Sequence, residues 1–416
     1  MRLNLTDMLF SLSDALDIVE HEMTGVKSSH GKHVAYLTAL MGIEHGLSGE
    51  VLSDLACCAM LHDNAFTEYV REEFTAGNVV DSYELRKRAE MLNSEEYMCF
   101  ISGSRHSAAG EKNIALIPFG TDVSEIILYH HENADGTGPF GKTMAETNLH
   151  SQIVHLADTI DVIWDILSVS EEDYKEMYER VCALSGVMFS PESVELFKKA
   201  VTFEKLVHFR QSAPETVLRE VIPEVEKDYS DEEIHNIAHF FADIVDCKSS
   251  FTRCHCIGTA EKAEIMAKYY GFDDEKRIRY YLAAALHDIG KLIIQNDILE
   301  KRGRLDTTEF ANMKSHALAS RVILSKIKGF EDITEWAGNH HEKLNGSGYP
   351  YGIGAERLTH EDRLMACLDI YQALTEPRPY KTPISHKKAM AIMYDMADKN
   401  EIDRTIVDDI NKVFSQ

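Results

Sequence analysis

The run Leu286-His287-Asp288-Ile289-Gly290-Lys291 sets an imidazole beside a carboxylate, with a lysine three positions on. Histidine and aspartate both ligate divalent metals, and the two oxygens of Asp288 can bridge a pair of ions. One helical turn later, Lys291 offers a fixed cation to a phosphate. A His-Asp pair alone occurs by chance. Its weight comes from His255 upstream and from His316, His340-His341 and Asp369 downstream. These seven groups are too many for one ion and suit two octahedral ions that keep water. The reading that follows puts His255, His287 and Asp369 on one ion, His316, His340 and His341 on the other, and Asp288 between them. A hydroxide held between ions ~3.5–4 Å apart is a nucleophile at neutral pH, so the fitting chemistry is in-line hydrolysis of a phosphoester.

The same types recur in the first half as His30, His62-Asp63, His106, His130-His131 and Asp158. Successive steps are 32, 44, 24 and 28 residues there, against 32, 29, 24 and 29 in the second half. Three of the four agree within one residue, which marks an internal repeat. The longer step implies an insertion around Glu68 to Asn93. Each half is therefore expected to be one copy of a metal-site domain, so the first-half residues form a second candidate metal site. The remaining histidines, among them His21, His33, His45, His235 and His386, fall outside the pattern and read as surface or packing residues.

Helices must carry these groups. Apolar residues at Met8, Leu9, Leu12, Leu16 and Val19 have helical spacing behind a Thr6 cap. Similar patterns run over Gly31–Met41, Gly49–Met60, Ser82–Leu92, Val123–Tyr129 and Ser151–Leu167. Alternating β-branched runs are scarce, so the class is all-α. The expected division is a first domain over 1–189, a charged helical connector over 190–229 with prolines at 191, 214 and 223, and a second domain over 230–416. The second domain opens on a Ser230–Glu233 capping box and an apolar stripe of Ile234, Ile237, Ala238, Phe241, Ile244 and Val245.

The 416 residues carry a formal charge of −26. Such a surface repels long nucleic acid and anionic membranes, while a small anion can still bind where metals and basic groups cluster. Eight scattered cysteines suggest reduced thiols and a cytoplasmic home. Cys254-His255-Cys256 lacks a second pair at zinc-finger spacing. No apolar run reaches membrane-spanning length and no secretion signal opens the chain. The charge is compatible with a monomer or a homodimer.

Phe251 to Lys381 resembles the HD-GYP phosphodiesterases, a branch of the HD superfamily that acts in bacterial signalling. The likeness rests on LHDIGKL (Leu286 to Leu292), Met313-Lys314-Ser315-His316, HHEKLNGSGYP (His340 to Pro350) and LDIYQALTEPRPYK (Leu368 to Lys381). It implies two tandem HD-superfamily helical domains, the second of them catalytic. That domain would hydrolyse a cyclic dinucleotide through a metal-bridging hydroxide, with Asp288 and Lys291 as catalytic residues. Cyclic di-GMP, giving linear pGpG or GMP, is the first expectation; 3',3'-cyclic GMP-AMP is the alternative. Iron or manganese is expected. The resemblance further implies that Lys291, Arg378 and Lys381 grip phosphate and that Tyr349 lines the pocket. Members with a third metal carry a Glu where this chain has Phe251, so two metals are expected. Asn345 and Gln372 stand where the family has Asp. The first half matches thinly. Asp135-Gly136-Thr137-Gly138 echoes the Gly-rich turn, but Phe66 replaces the lysine, Pro139-Phe140 replaces Tyr-Pro, and Leu167 stands in the place of Arg378. This copy is expected to be degenerate, with a regulatory or structural role. Two competing readings are a cyclic-dinucleotide sensor or scaffold without turnover and a nucleotide phosphohydrolase of the wider superfamily.

Overall fold

A computed structural model describes residues 1–24, 29–65, 104–248, 255–299, 301, 303–376 and 383–415. The expectations for Phe66, the insertion with its Ser82–Leu92 helix, Phe251, Arg378 and Lys381 fall outside the described residues. Helices dominate. Among the described residues the two strands, β1 (Arg2–Asn4) and β2 (Glu226–Asp228), have three residues each and form one sheet. No described helix is long and apolar enough to cross a membrane. The chain divides into two compact units, Asn4–Lys227 and Asp228–Gln416 with Met1–Leu3.

The first unit contains α1 (Leu5–Thr24), α2 (His30–Glu44), α3 (Gly49–Met60), α4 (Ser104–Ile114), α5 (Leu149–Trp164), α6 (Glu171–Ala183), α7 (Pro191–Ala200), α8 (Phe203–Gln211) and α9 (Pro214–Val221). Helix α2 is buried almost all round and packs against α3, α5, α7 and α9. A helix with no polar face must be covered on every side. This corrects the connector expected at 190–229: its helices are part of the first unit. Phe197, Phe209, Val217 and Leu218 are fully buried, Phe209 stacks on Tyr36 of α2 at 4.4 Å, and the Tyr36 hydroxyl donates to the Lys205 carbonyl. The dense charges that suggested a connector are the solvent faces of helices whose other faces complete the core.

A second difference concerns Val123–Tyr129, where the pattern predicts a helix. The segment is a series of turns. Glu125 sits at φ 63, and the Glu111 carboxylate accepts from the amides of Glu125 (2.6 Å) and Leu128 (3.1 Å). A side chain from α4 thus takes the place of helical carbonyls.

The second unit contains α10 (Asp231–Lys248), α11 (His255–Tyr269), α12 (Asp274–Leu286), a 3-10 turn (Ile289–Ile293), α13 (Asn296–Leu299), α14 (Thr307–Leu324), α15 (Glu331–Gly338), α16 (His360–Thr375), α17 (His386–Asp398) and α18 (Arg404–Phe414). The Ser230–Glu233 box forms, and all six residues of the α10 stripe are buried. The turn after Asp288 lies so close to α14 that a Cβ on Gly290 would stand 2.1 Å from the His316 carbonyl oxygen. Glycine there lets the His287-Asp288 segment and α14 touch.

Candidate metal centres

The second unit gathers all seven of its expected ligands. His287 caps the C-terminus of α12, where the last carbonyls lack helical partners. Its Nδ1 donates to the Ala284 carbonyl at 2.7 Å. His316 and His340 make the same bond to the residue three back, Met313 and Ala337, each at 2.6 Å. A proton fixed on Nδ1 leaves Nε2 as a lone pair facing inward, the form a metal takes up.

Those nitrogens converge on Asp288. Its Oδ2 lies 3.3 Å from His287 Nε2 and 3.7 Å from His255 Nε2, while its Oδ1 lies 3.4 Å from His316 Nε2 and 3.8 Å from His340 Nε2. One carboxylate thus presents an oxygen to each of two histidine groups. Asp369 completes the ring, with Oδ1 at 3.0 Å from His255 Nε2 and Oδ2 at 3.7 Å from His341 Nδ1. His255, His287 and Asp288 form one cluster of donors close enough to share an ion, and His316, His340 and His341 form another.

Whether these residues fit metals is decided by atoms that no protein group satisfies. His287 Nε2 and Asp288 Oδ1 are buried without a hydrogen-bond partner. Leaving such atoms unpaired is costly, and a cation between them removes the cost. The charge states on the His340–His341 side agree. Burial, reinforced by its neighbours, holds His340 well below the ordinary imidazole range, and burial pushes His341 down to about 3. Burial opposes ionisation of Asp288, yet Lys291 and His287 hold its carboxyl well below the usual range. Neutral imidazoles around ionised carboxylates are what metal binding requires, and His340 and His341 meet this. His255 differs: burial opposes its charging, but hydrogen bonds to Asp369 and Glu376 push it up to about 10, so it must shed a proton to ligate. Lys291 forms an ion pair with Asp288 Oδ2.

The first unit repeats this geometry. Asp63 Oδ2 lies 3.3 Å from His62 Nε2, and its Oδ1 lies 3.5 Å from His106 Nε2 and 3.8 Å from His130 Nε2. Asp158 lies 3.2 Å from His30 Nε2 and 3.7 Å from His131 Nδ1. His62 and His130 again donate from Nδ1 to the carbonyl three residues back, Ala59 and Ile127. His62 Nε2, His130 Nε2, His131 Nδ1 and Asp158 Oδ2 are buried without a hydrogen-bond partner. This donor set fits ions by the same test.

Sequence reasoning missed the groups that hold the first histidine. His255 Nδ1 donates to Glu376 Oε2 at 2.9 Å, and His30 Nδ1 donates to Asp161 Oδ2 at 2.7 Å. Both carboxylates follow the last ligand, Asp161 at +3 within α5 and Glu376 at +7, one residue past the end of α16, and that spacing was the available signal. At +3 the second copy has Gln372, which donates to Glu376 at 3.3 Å. His33, read as packing, is fully buried with Nδ1 3.0 Å from Asp161. Its counterpart is Gly258, where a Cβ would lie 2.2 Å from Gln372 Nε2. The pairs His33–Asp161 and Gly258–Gln372 are two solutions to one packing problem.

The residue after each histidine pair anchors a loop. Glu342 accepts from the amides of Tyr351, Gly352 and Ile353 at 2.7–3.1 Å, and Glu132 from those of Phe140 and Lys142. Asn345 accepts from the Ser347 amide and hydroxyl at 3.0 and 2.7 Å, as Asp135 does from Thr137. That turn needs only an acceptor, so Asn serves as well as Asp. The loop brings Tyr349 against His341, ring centres 4.7 Å apart.

HD-domain family models match residues 28–163 and 240–406. The 3'3'-cGAMP-specific phosphodiesterase 1 of Vibrio cholerae is 28% identical over 419 residues, 97% of this chain and 90% of that protein. The 3'3'-cGAMP-specific phosphodiesterase 3 of the same organism is 33% identical over 268 residues, 64% of this chain and 57% of that protein. A crystal structure of a cyclic GMP-AMP-specific phosphodiesterase from V. cholerae superimposes with a TM-score of 0.63 at 23% identity, covering 100% of this chain and 98% of that one.

Proposed function

The chain is a tandem HD-domain protein, and from that premise we propose that its second domain is a metal-dependent phosphodiesterase acting on a cyclic dinucleotide. The observation that carries the reading is the two-sided approach of histidines to Asp288, with a lysine on the same carboxylate. His255, His287 and Asp369 would hold one divalent ion and His316, His340 and His341 the other, with Asp288 shared. Nitrogen and oxygen donors of this mix suit iron or manganese. Bound there, such ions supply Lewis acidity toward a phosphoryl oxygen and a water of lowered pKa.

The chain's own residues do the rest. Nδ1–H bonds to backbone carbonyls fix the tautomers of His287, His316 and His340. Glu376 does so for His255. Lys291, beside Asp288, stays cationic, because that carboxylate outweighs the opposing effect of burial. It is placed to meet a non-bridging phosphate oxygen, where charge accumulates as the diester opens. Tyr349 walls the site next to His341 and His316 and confines the substrate ring. Arg378 and Lys381 would add cations from beyond the end of α16.

Cyclic GMP-AMP is the favoured substrate within this class, because the relative matched nearly end to end bears that specificity. Cyclic di-GMP is the second reading, from the motif resemblance. The first domain keeps the ligands but has Phe66 and Leu167 where the second has Lys291 and Arg378, so its role is regulatory or structural. Incubating the manganese- or iron-loaded protein with each cyclic dinucleotide and resolving linear products tests the reading. Bound metal with no turnover would favour a sensor.

A further inference from the structure

Two side chains beside the second metal centre, Phe310 and Lys314, have no role in the proposed function. Lys314 lies on α14, two residues before His316. Its ammonium is 4.6 Å from the ring centre of Phe310 and 5.4 Å from that of Tyr349. Tyr349 in turn packs against His341 at 4.7 Å with 39° between the planes. An aromatic–cation–aromatic row therefore leads outward from the metal ligands. Its outer member, Phe310, is 48% exposed, a large ring left half in water. In a chain with 69 acidic residues, Lys314 meets no carboxylate among the described residues; its contacts are the two ring faces.

The first copy acts as an internal control. With His106 set on His316 and His130 on His340, Lys314 falls on Ser104 and Tyr349 on Pro139, while Phe310 falls on Phe100. Both copies keep the metal ligands. The lysine and the tyrosine are kept only where Lys291 and Arg378 are also kept. The lysine and the tyrosine therefore go with the groups that hold substrate, not with those that hold metal. The phenylalanine stands in both copies, so its part rests on its exposure and its contact with Lys314.

We propose that Phe310 and Lys314 form a nucleotide subsite at the rim of the second metal centre, outward of Tyr349, with the half-exposed Phe310 ring stacking on one purine and Lys314 neutralising the phosphodiester that is not cleaved. The proposal rests on the cyclic-dinucleotide reading and deepens it. A cyclic dinucleotide has two phosphates and two bases. With one phosphate beside Asp288 and Lys291, the other needs a cation further out, and its nucleoside needs a platform. Lysine suits a phosphate as a point charge on a flexible stem. Stacking tolerates any base, so the subsite would distinguish a dinucleotide from a simple diester rather than guanine from adenine.

Steady-state kinetics of the full-length metal-loaded protein on cyclic GMP-AMP and cyclic di-GMP test this. F310A and K314A are each expected to raise KM about tenfold or more, from the usual strength of a base stack or a phosphate contact, with kcat changed less than about threefold. F310Y and K314R should bring KM back to within about threefold of wild type, since ring and charge are restored. Unchanged KM in F310A and K314A overturns the subsite. A fall in kcat at unchanged KM also overturns it, and would assign this face of α14 to holding His316. Failure of the wild-type protein to cleave any cyclic dinucleotide is a different result. It overturns the functional reading, and the subsite with it.

Discussion

Replacing Glu376 should loosen metal binding in the second domain without touching any ligand. His255 Nδ1 donates to Glu376 Oε2 at 2.9 Å in a buried setting, while Nε2 faces Asp369 at 3.0 Å. The carboxylate fixes which nitrogen carries the proton and how the ring is turned. Glu376→Ala leaves a buried donor unsatisfied, a cost of about 1–3 kcal/mol that falls on the oriented ring. Partners of metal-bound histidines generally contribute 10–100-fold to affinity, about 1.4–2.7 kcal/mol. The expected result is a 10–100-fold weaker manganese affinity at one class of site, measured by titrating metal-free protein against a competing chelator. Glu376→Gln keeps an oxygen that can accept and should fall between Ala and wild type. Asp161→Ala should act in the same way on the first domain and leave the second unchanged, because Asp161 holds His30. A Glu376→Ala protein that melts like wild type and binds manganese as tightly would refute the reasoning.

Asp288→Ala removes the carboxylate approached from both sides, so metal content of the second domain and turnover should be lost together; elemental analysis beside a product assay checks this. Lys291→Ala should keep its metal and lose activity, because the lysine touches Asp288 without ligating through it; loss of metal instead would make it structural. Gly290→Ala puts a methyl against the backbone of α14, 2.1 Å from the His316 carbonyl oxygen, and should destabilise by about 1–3 kcal/mol or more, read as a lower midpoint in denaturant.

The two clusters of histidine and aspartate were legible because donor sets of this kind leave little freedom in residue type. His and Asp at fixed steps stand out in any sequence, and repetition of the steps in two halves removes chance. The helices that carry them were also legible, as in the wholly buried α10 stripe. The 190–229 segment was not. Its surface charge hid Phe197, Phe209 and Leu218, whose partners on α2 lie far away in sequence. The Val123–Tyr129 turns were hidden too, since the deciding group is the carboxylate of Glu111 on another element. Glu376 and Asp161 escaped because each orients a histidine far away in sequence, from a different position after the last ligand, so no single spacing marks them.

The account stands most directly on one product assay. Full-length protein loaded with manganese or iron is incubated with cyclic GMP-AMP and with cyclic di-GMP beside its Asp288→Ala variant, and products are separated by chromatography. The account predicts linear dinucleotide or mononucleotides from wild type, fastest from cyclic GMP-AMP, and none from the variant. A metal-loaded wild type that leaves both rings closed, or a variant that opens them at the wild-type rate, would contradict it.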